Sequence, residues 1–324
     1  MREASRRPKR YHLNGLCPAE GGSTLEPTDR APEGLETLRD LVRYAASRFN
    51  EAGLVFGHGT DNAVDEAAAL ALHTLHLPAE LPDLYWGARL TRGEREAFMA
   101  VVHRRIEERL PLPYLTHETH FAGLPIYVDR RVLVPRSPLA EWIERGFAPW
   151  LDPDQVSDVL ELGTGSGCIA IACAYAFPGA RVDATDTDPE ALEVAAYNVE
   201  RHGLEDRVAL VQADVFDGLP ERGYQLIVSN PPYVDAAAMA ELPPEYRHEP
   251  RSALAAGEDG LAVVRRILRG APRYLAPGGL LAVEHGAAQG EAVRGLLAAA
   301  GLEGVGTRTD LAGLERITHG RRPA

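Results

Sequence analysis

Two stretches of the chain carry residue types able to do chemistry together. The first is Asn230-Pro231-Pro232-Tyr233, which closes the apolar run Leu226-Ile227-Val228-Ser229. Prolines lack a backbone donor and fix φ, so they hold the carbonyls of such a loop in set directions. The Asn230 side-chain oxygen and the Pro231 carbonyl are then two acceptors suited to the N–H groups of a planar, amide-type nitrogen, and Tyr233 offers a flat surface to the same group. An amide nitrogen is a poor nucleophile because its lone pair is delocalised into the carbonyl. Acceptors on both N–H groups turn that lone pair towards an electrophile and stabilise the positive charge that develops. No strong base is needed first, since the proton leaves once the nitrogen is cationic. Asn230 and Tyr233 are the catalytic candidates, and Asn230, Pro231, Pro232 and Tyr233 the substrate contacts. Adenine N6, cytosine N4 and a glutamine amide all satisfy this logic, so the motif names a kind of nitrogen and not a substrate. A bare Pro-Pro would serve equally as a rigid turn.

The second stretch is Glu161-Leu162-Gly163-Thr164-Gly165-Ser166-Gly167, which follows one apolar run and precedes another. Without Cβ atoms its glycines permit a tight turn and a close approach of ligand to backbone. The dinucleotide spacing Gly-x-Gly-x-x-Gly would need its third glycine where Cys168 stands, and a nucleophile elbow around Ser166 would need glycines at Thr164 and Cys168. Neither fits. Asp186 lies about 20 residues further on, where an acid can accept hydrogen bonds from ribose hydroxyls. The Glu-x-Gly-x-Gly-x-Gly spacing resembles the first motif of class I methyltransferases. That resemblance implies S-adenosylmethionine as cofactor, held by Glu161, Gly163, Thr164, Gly165, Gly167, Asp186 and Asn230, with Asp214 of Gln212-Ala213-Asp214 reading the adenine amine. Taken singly, each acid is an ordinary strand end or helix cap, and a glycine loop also lets a helix pack closely on a sheet.

These residues need elements to position them. From about residue 157 strands and helices alternate: strands at 159–162, 181–185, 208–211, 226–229, 279–284 and 314–318, with helices at 169–176, 189–201, 261–268 and 290–300 between them. Alternation of this kind predicts an α/β, Rossmann-like doubly wound sheet that binds ligands at the carboxyl ends of its strands. Ahead of it, Leu35, Leu38, Leu41, Val42, Ala45 and Phe49 share one helical face, a second helix covers 64–75, and Thr91-x-x-Glu94 has capping-box spacing for a third ending at Leu110-Pro111. Between the two lie apolar runs at 121–128 and 131–134, read as strands of a hairpin turning at Asp129-Arg130. The expected organisation is a flexible extension over 1–32, a helical substrate-recognition domain over 33–117, a β-hairpin linker over 118–138 and a methyltransferase domain over 139–324.

Composition narrows the class. The net charge of −13 argues against a protein that grips a nucleic-acid backbone through clustered cations, and an acidic face suits a basic protein partner. Acidity also simply keeps a protein in solution. No apolar run approaches the roughly 18 residues of a membrane span. Cys17, Cys168 and Cys173 form no Cys-x-x-Cys pair, so neither a disulfide framework nor a metal site is indicated, and a reducing cytoplasm is expected.

Further blocks extend the resemblance. Phe56-Gly57-His58-Gly59-Thr60-Asp61-Asn62, Val132-Leu133-Val134-Pro135-Arg136-Ser137-Pro138, Gly165-Ser166-Gly167-Cys168-Ile169-Ala170, Asn230-Pro231-Pro232-Tyr233-Val234-Asp235 and Glu245-Tyr246-Arg247-His248-Glu249-Pro250 make the chain from about Leu38 onward similar to the bacterial protein-(glutamine-N5) methyltransferases. The Gly-His-Gly-Thr-Asp-Asn block and Arg-Ser-Pro favour the branch acting on large-subunit ribosomal protein L-three, a basic protein substrate, over the branch acting on release factors. Methylation of adenine N6 in nucleic acid and a ribosome-assembly role without turnover are the competing readings. The extension before residue 33 has no counterpart in the family, and His285 stands where an aliphatic residue is usual.

Arg136 is a candidate for the edge of the substrate site, with an interdomain ion pair as the alternative. Glu249 and His248 border either the substrate channel or the surface, and His58 reads as part of a structural loop. His117-Glu118-Thr119-His120 falls one residue short of the metalloprotease spacing.

Overall fold

The computed structural model describes residues 32–324, so the expected extension over 1–32 lies, but for Pro32, outside the described residues. The first four α-helices among the described residues are α1 (Leu38–Glu51), α2 (Ala63–Thr74), α3 (Arg92–Glu107) and α4 (Leu112–Thr116). Thr37 and Asp40 cap α1 reciprocally, the Asn62 side-chain oxygen accepts the Val64 and Asp65 amides of α2, and Thr91 and Glu94 form the expected box on α3. Their apolar faces, including Leu41, Phe49, Leu70, Phe98 and Val102, close over a core of their own. Burying each such side chain contributes about 1.5–3 kcal/mol.

The hairpin that follows differs from expectation. Its strands are β1 (Glu118–Phe121) and β2 (Leu124–Tyr127), turning at Ala122-Gly123 and not at Asp129-Arg130. Ala122 and Gly123 take φ of 48° and 72°, the paired positive values of a tight hairpin turn. Asp129 is committed elsewhere, accepting the Arg131 amide at 2.9 Å and its guanidinium at 2.6 Å. Residues 131–134 are not a strand, because the Val134 amide is spent on the Glu249 carboxylate, 3.0 Å away.

Beyond α5 (Leu139–Glu144) comes the alternation: β3 (Asp158–Leu162), α6 (Cys168–Ala176), β4 (Arg181–Asp186), α7 (Pro189–Arg201), β5 (Val208–Gln212), β6 (Tyr224–Ser229), α8 (Ala236–Glu241), α9 (Ala262–Tyr274), β7 (Leu275–Glu284), α10 (Gly290–Ala299), β8 (Glu303–Thr309) and β9 (Glu315–Arg321). The sheet runs β5-β4-β3-β6-β7-β9-β8, parallel through its first five strands and antiparallel at β9 and β8. α6 is apolar all round, Cys-Ile-Ala-Ile-Ala-Cys-Ala, and accordingly buried between sheet and neighbouring helices. The strand order reverses between β3 and β6, the position at which a doubly wound sheet opens a crevice beyond its carboxyl ends. β3 ends in the glycine loop and β6 in the Asn-Pro-Pro-Tyr loop. Leu162 and Ser229 are paired in register, and the Ser229 hydroxyl donates to the Leu162 carbonyl at 2.7 Å. The two motifs, over 60 residues apart in sequence, leave the sheet side by side.

Candidate active site

A cleft of about 390 Å³ lies at this switch point. It is lined by Glu161, Gly163, Thr164, Gly165, Asp186, Asp214, Asn230, Pro231, Pro232 and Arg136, so most of the residues singled out by the sequence meet in one space. The Gly163 and Thr164 amides both donate to the Thr185 carbonyl at 2.8 Å, winding the loop tightly over the end of β4. Gly163 and Gly165 hold φ of 75° and 53°, and nothing approaches within 4 Å of where their Cβ atoms would be, leaving room for a ligand. Gly167 does a different job: its φ is 83° and an added Cβ would meet Ala195 of α7 at 3.3 Å, so it serves helix packing and does not line the cleft.

Glu161 is 1 % exposed. One oxygen accepts the Thr164 hydroxyl at 2.5 Å and the Ala170 amide at 2.9 Å, while Oε1 is buried with no hydrogen-bond partner among the described residues. Burial pushes its pKa up to about 8 against the opposing pull of those two donors. A buried acceptor left over in a cleft wall fits a cationic group, such as the ammonium of an amino-acid-bearing cofactor. Asp186 accepts the Gly165 amide at 2.9 Å and the Asp188 amide at 3.0 Å, and burial raises its pKa too. Asp214 is half-exposed and pairs with Arg266 of α9 at 2.6 Å. Beside it Ala213, Val215, Val263 and Ile267 supply an apolar wall of the kind a flat base lies against. Val215 holds φ of 59°, an unusual conformation for a β-branched residue. Sequence reasoning missed the α9 contribution, whose signal was the spacing Val263, Arg266, Ile267 along one helical face.

Asn230 lines the cleft with its side chain unpaired among the described residues. Tyr233 does not line the cleft. Its hydroxyl is pinned between Arg316 at 2.8 Å and Glu284 at 3.3 Å, the Arg316 guanidinium lies 5.3 Å from its ring centroid, and its pKa is pushed up to about 12 by burial and by Glu284. A freely stacking ring is therefore not what the structure shows.

Glu249 also departs from the expected role. It is 5 % exposed and fully engaged: Arg136 grips both its oxygens at 2.6 and 2.7 Å, the Val134 amide donates at 3.0 Å, and His58 sits 3.5 Å away. Burial alone would raise its pKa; His58 and the Arg136 guanidinium outweigh that and hold it at about 2. With no acceptor capacity facing the cleft it is a clamp, and Arg136 is at once its partner and a cleft wall. His58, from the helical part, is buried and packs against Tyr246 at 4.5 Å. His248 donates to the Glu108 carbonyl beyond α3 at 2.8 Å, a helix cap. His285 is buried, with its ring nitrogens 2.8 Å from the Gly286 carbonyl and from the Thr318 hydroxyl.

The sheet order, the glycine loop and the acceptor-bearing loop beside it define a class I methyltransferase. The family model of the methyltransferase small domain matches residues 146–243. A solved structure with a similar fold, the hMettl16 catalytic domain in complex with MAT2A 3'UTR hairpin 1, aligns with a TM-score of 0.50 at 15% identity over 86% of this chain and 90% of that one. Curated relatives are far more similar. The ribosomal protein uL3 glutamine methyltransferase of Bordetella pertussis (strain Tohama I) is 54% identical over 78% of this chain and 85% of its own length. The protein of the same name from Neisseria meningitidis serogroup B is 51% identical over 80% and 85%. The chain belongs to the ribosomal protein uL3 glutamine methyltransferase family.

Proposed function

We propose that this protein transfers a methyl group from S-adenosylmethionine to the side-chain amide nitrogen (N5) of a glutamine in large-subunit ribosomal protein uL3. One observation carries the reading: the unpaired Asn230 side chain shares a cleft with the orphaned Glu161 oxygen, across one parallel strand pair. The bound donor would supply an electrophilic methyl on a sulfonium. Gly163, Thr164 and Gly165 would pass its amino-acid portion, Glu161 would take the ammonium, Asp186 the ribose hydroxyls, and Asp214 with Val215, Val263 and Ile267 the adenine. The Asn230 side-chain oxygen and the Pro231 carbonyl accept the two amide hydrogens, directing the lone pair at the methyl and stabilising charge as it forms. The proton then leaves to solvent. Arg136 and Pro232 wall the acceptor side. The helices over 33–117 form the substrate-recognition domain, and the net charge of −13 favours encounter with a basic ribosomal protein in the cytoplasm.

The test incubates enzyme and labelled donor with purified uL3, a release factor and DNA separately. Label is expected on a uL3 glutamine; label on release factor or DNA alone overturns the substrate assignment. Asn230→Ala should lower turnover by about 10²–10³.

A further inference from the structure

We propose that Glu284 and Arg316 are positioning residues for the acceptor amide: by holding the Tyr233 hydroxyl they fix the Asn-Pro-Pro-Tyr loop. The inference rests on that loop being the amide site. Glu284 is the last residue of β7 and Arg316 the second of β9, neighbouring antiparallel strands. Arg316 donates to the Tyr233 hydroxyl at 2.8 Å, and that hydroxyl donates to Glu284 Oε1 at 3.3 Å. The second Glu284 oxygen accepts the Ser137 hydroxyl in a short hydrogen bond, and Ser137 lines the cleft next to Arg136. Gln289 donates to the Tyr233 carbonyl at 3.1 Å, so the tyrosine is held at both its backbone and its tip.

The network is costly enough to need a purpose. Glu284 is 2 % exposed and does not line the cleft, and an apolar residue of similar size would be easier to bury there. What the carboxyl adds is direction: the end of β7, the start of β9, the loop after β6 and the 134–138 segment meet at one oxygen pair. Tyr233 lies three residues from Asn230, with two prolines between that transmit its position with little slack. A displacement of about 1 Å at a reacting pair lowers rate by roughly 10²-fold, so a loop anchor need move little to matter.

The test is a double-mutant cycle with Tyr233→Phe, Arg316→Met and the pair, read as kcat on uL3 with donor Kd measured by calorimetry. Each single variant is expected to lose about tenfold in kcat with donor Kd within about twofold, and the pair no more than the worse single, because the Arg316 contact is already lost with the Tyr233 hydroxyl. Glu284→Leu should lose about as much, and Glu284→Gln, which keeps an acceptor oxygen, should recover most of it. The inference is overturned if the single effects multiply, if Arg316→Met or Glu284→Leu keeps kcat within about twofold, or if donor affinity falls in step with kcat. Asn230→Ala in parallel separates the two readings. Should it retain turnover, the amide site itself is wrong; should it be silent while the cycle shows no coupling, only the positioning role fails.

Discussion

Glu161 faces opposing demands. Its fold buries it, which favours the neutral acid, while a cationic ligand would favour the carboxylate. Its folded pKa of about 8 lies above the ordinary carboxylate value, and neighbouring Asp186 adds to the rise. Between pH of about 4.5 and 8 the folded chain therefore holds a proton that the unfolded chain releases, so this group's contribution to stability falls as pH rises through that window. Donor binding runs the other way. It should tighten as pH rises towards 8 and release a proton, seen as a binding heat that depends on the ionisation heat of the buffer. Glu161→Gln should flatten that dependence, and equal pH profiles for the two proteins would count against the ammonium contact. The sequence made Glu161, Asp186 and Asn230 legible because each sits at a strand end beside a recognisable loop. It hid Arg266, Glu284 and Arg316, whose partners Asp214 and Tyr233 lie 51 to 83 residues away along the chain and meet them only through the finished sheet.

At the scale of elements, two glycines separate packing from chemistry. Gly167 opens α6 against Ala195 in a left-handed conformation, so Gly167→Ala should cost about 1–2 kcal/mol of stability, measured by chemical denaturation. Gly260 also has positive φ, at 72°, but a Cβ there would land on the Tyr233 carbonyl and the Gln289 amide. Gly260→Ala is therefore expected to lower kcat about tenfold by shifting the acceptor loop, with donor affinity retained; loss of donor binding in step with kcat would contradict this. The parallel strands were readable from their apolar runs, and α7 as the helical stretch over 189–201 between two of them. β8 was not, because Glu303-Gly-Val-Gly-Thr-Arg-Thr is a polar edge strand with two glycines and no clear alternation. The hairpin was displaced for a local reason: Asp129-Arg130 looks like a turn, yet Asp129 is consumed by Arg131, and the true turn at Ala122-Gly123 carries a weak signal.

Across the whole molecule, the segment just beyond the acceptor loop ties the helices to the sheet. Glu245 accepts the Val55 amide at 3.1 Å and the Arg109 guanidinium at 2.9 Å. Burial would raise its pKa, but those donors hold it below the usual range. Arg105, 3.7 Å from the same oxygen, pairs with Glu66 at 2.6 Å with both side chains 1 % exposed. Glu66→Ala leaves that guanidinium buried with less than its due, and should cost about 3–5 kcal/mol in chemical unfolding; a loss under about 1 kcal/mol would place the pair among inconsequential ones. Reading Glu245-Tyr246-Arg247-His248-Glu249-Pro250 as a family block located this segment without revealing its purpose, since its partners Val55, His58, Glu108, Arg109 and Arg136 lie 113 or more residues earlier. That connection sets a rule for engineering new targets. A chimera that takes its first hundred or so residues from a relative must import that relative's version of 245–250 as well, since the helices and their mounting bracket are encoded on opposite sides of the Asn-Pro-Pro-Tyr loop.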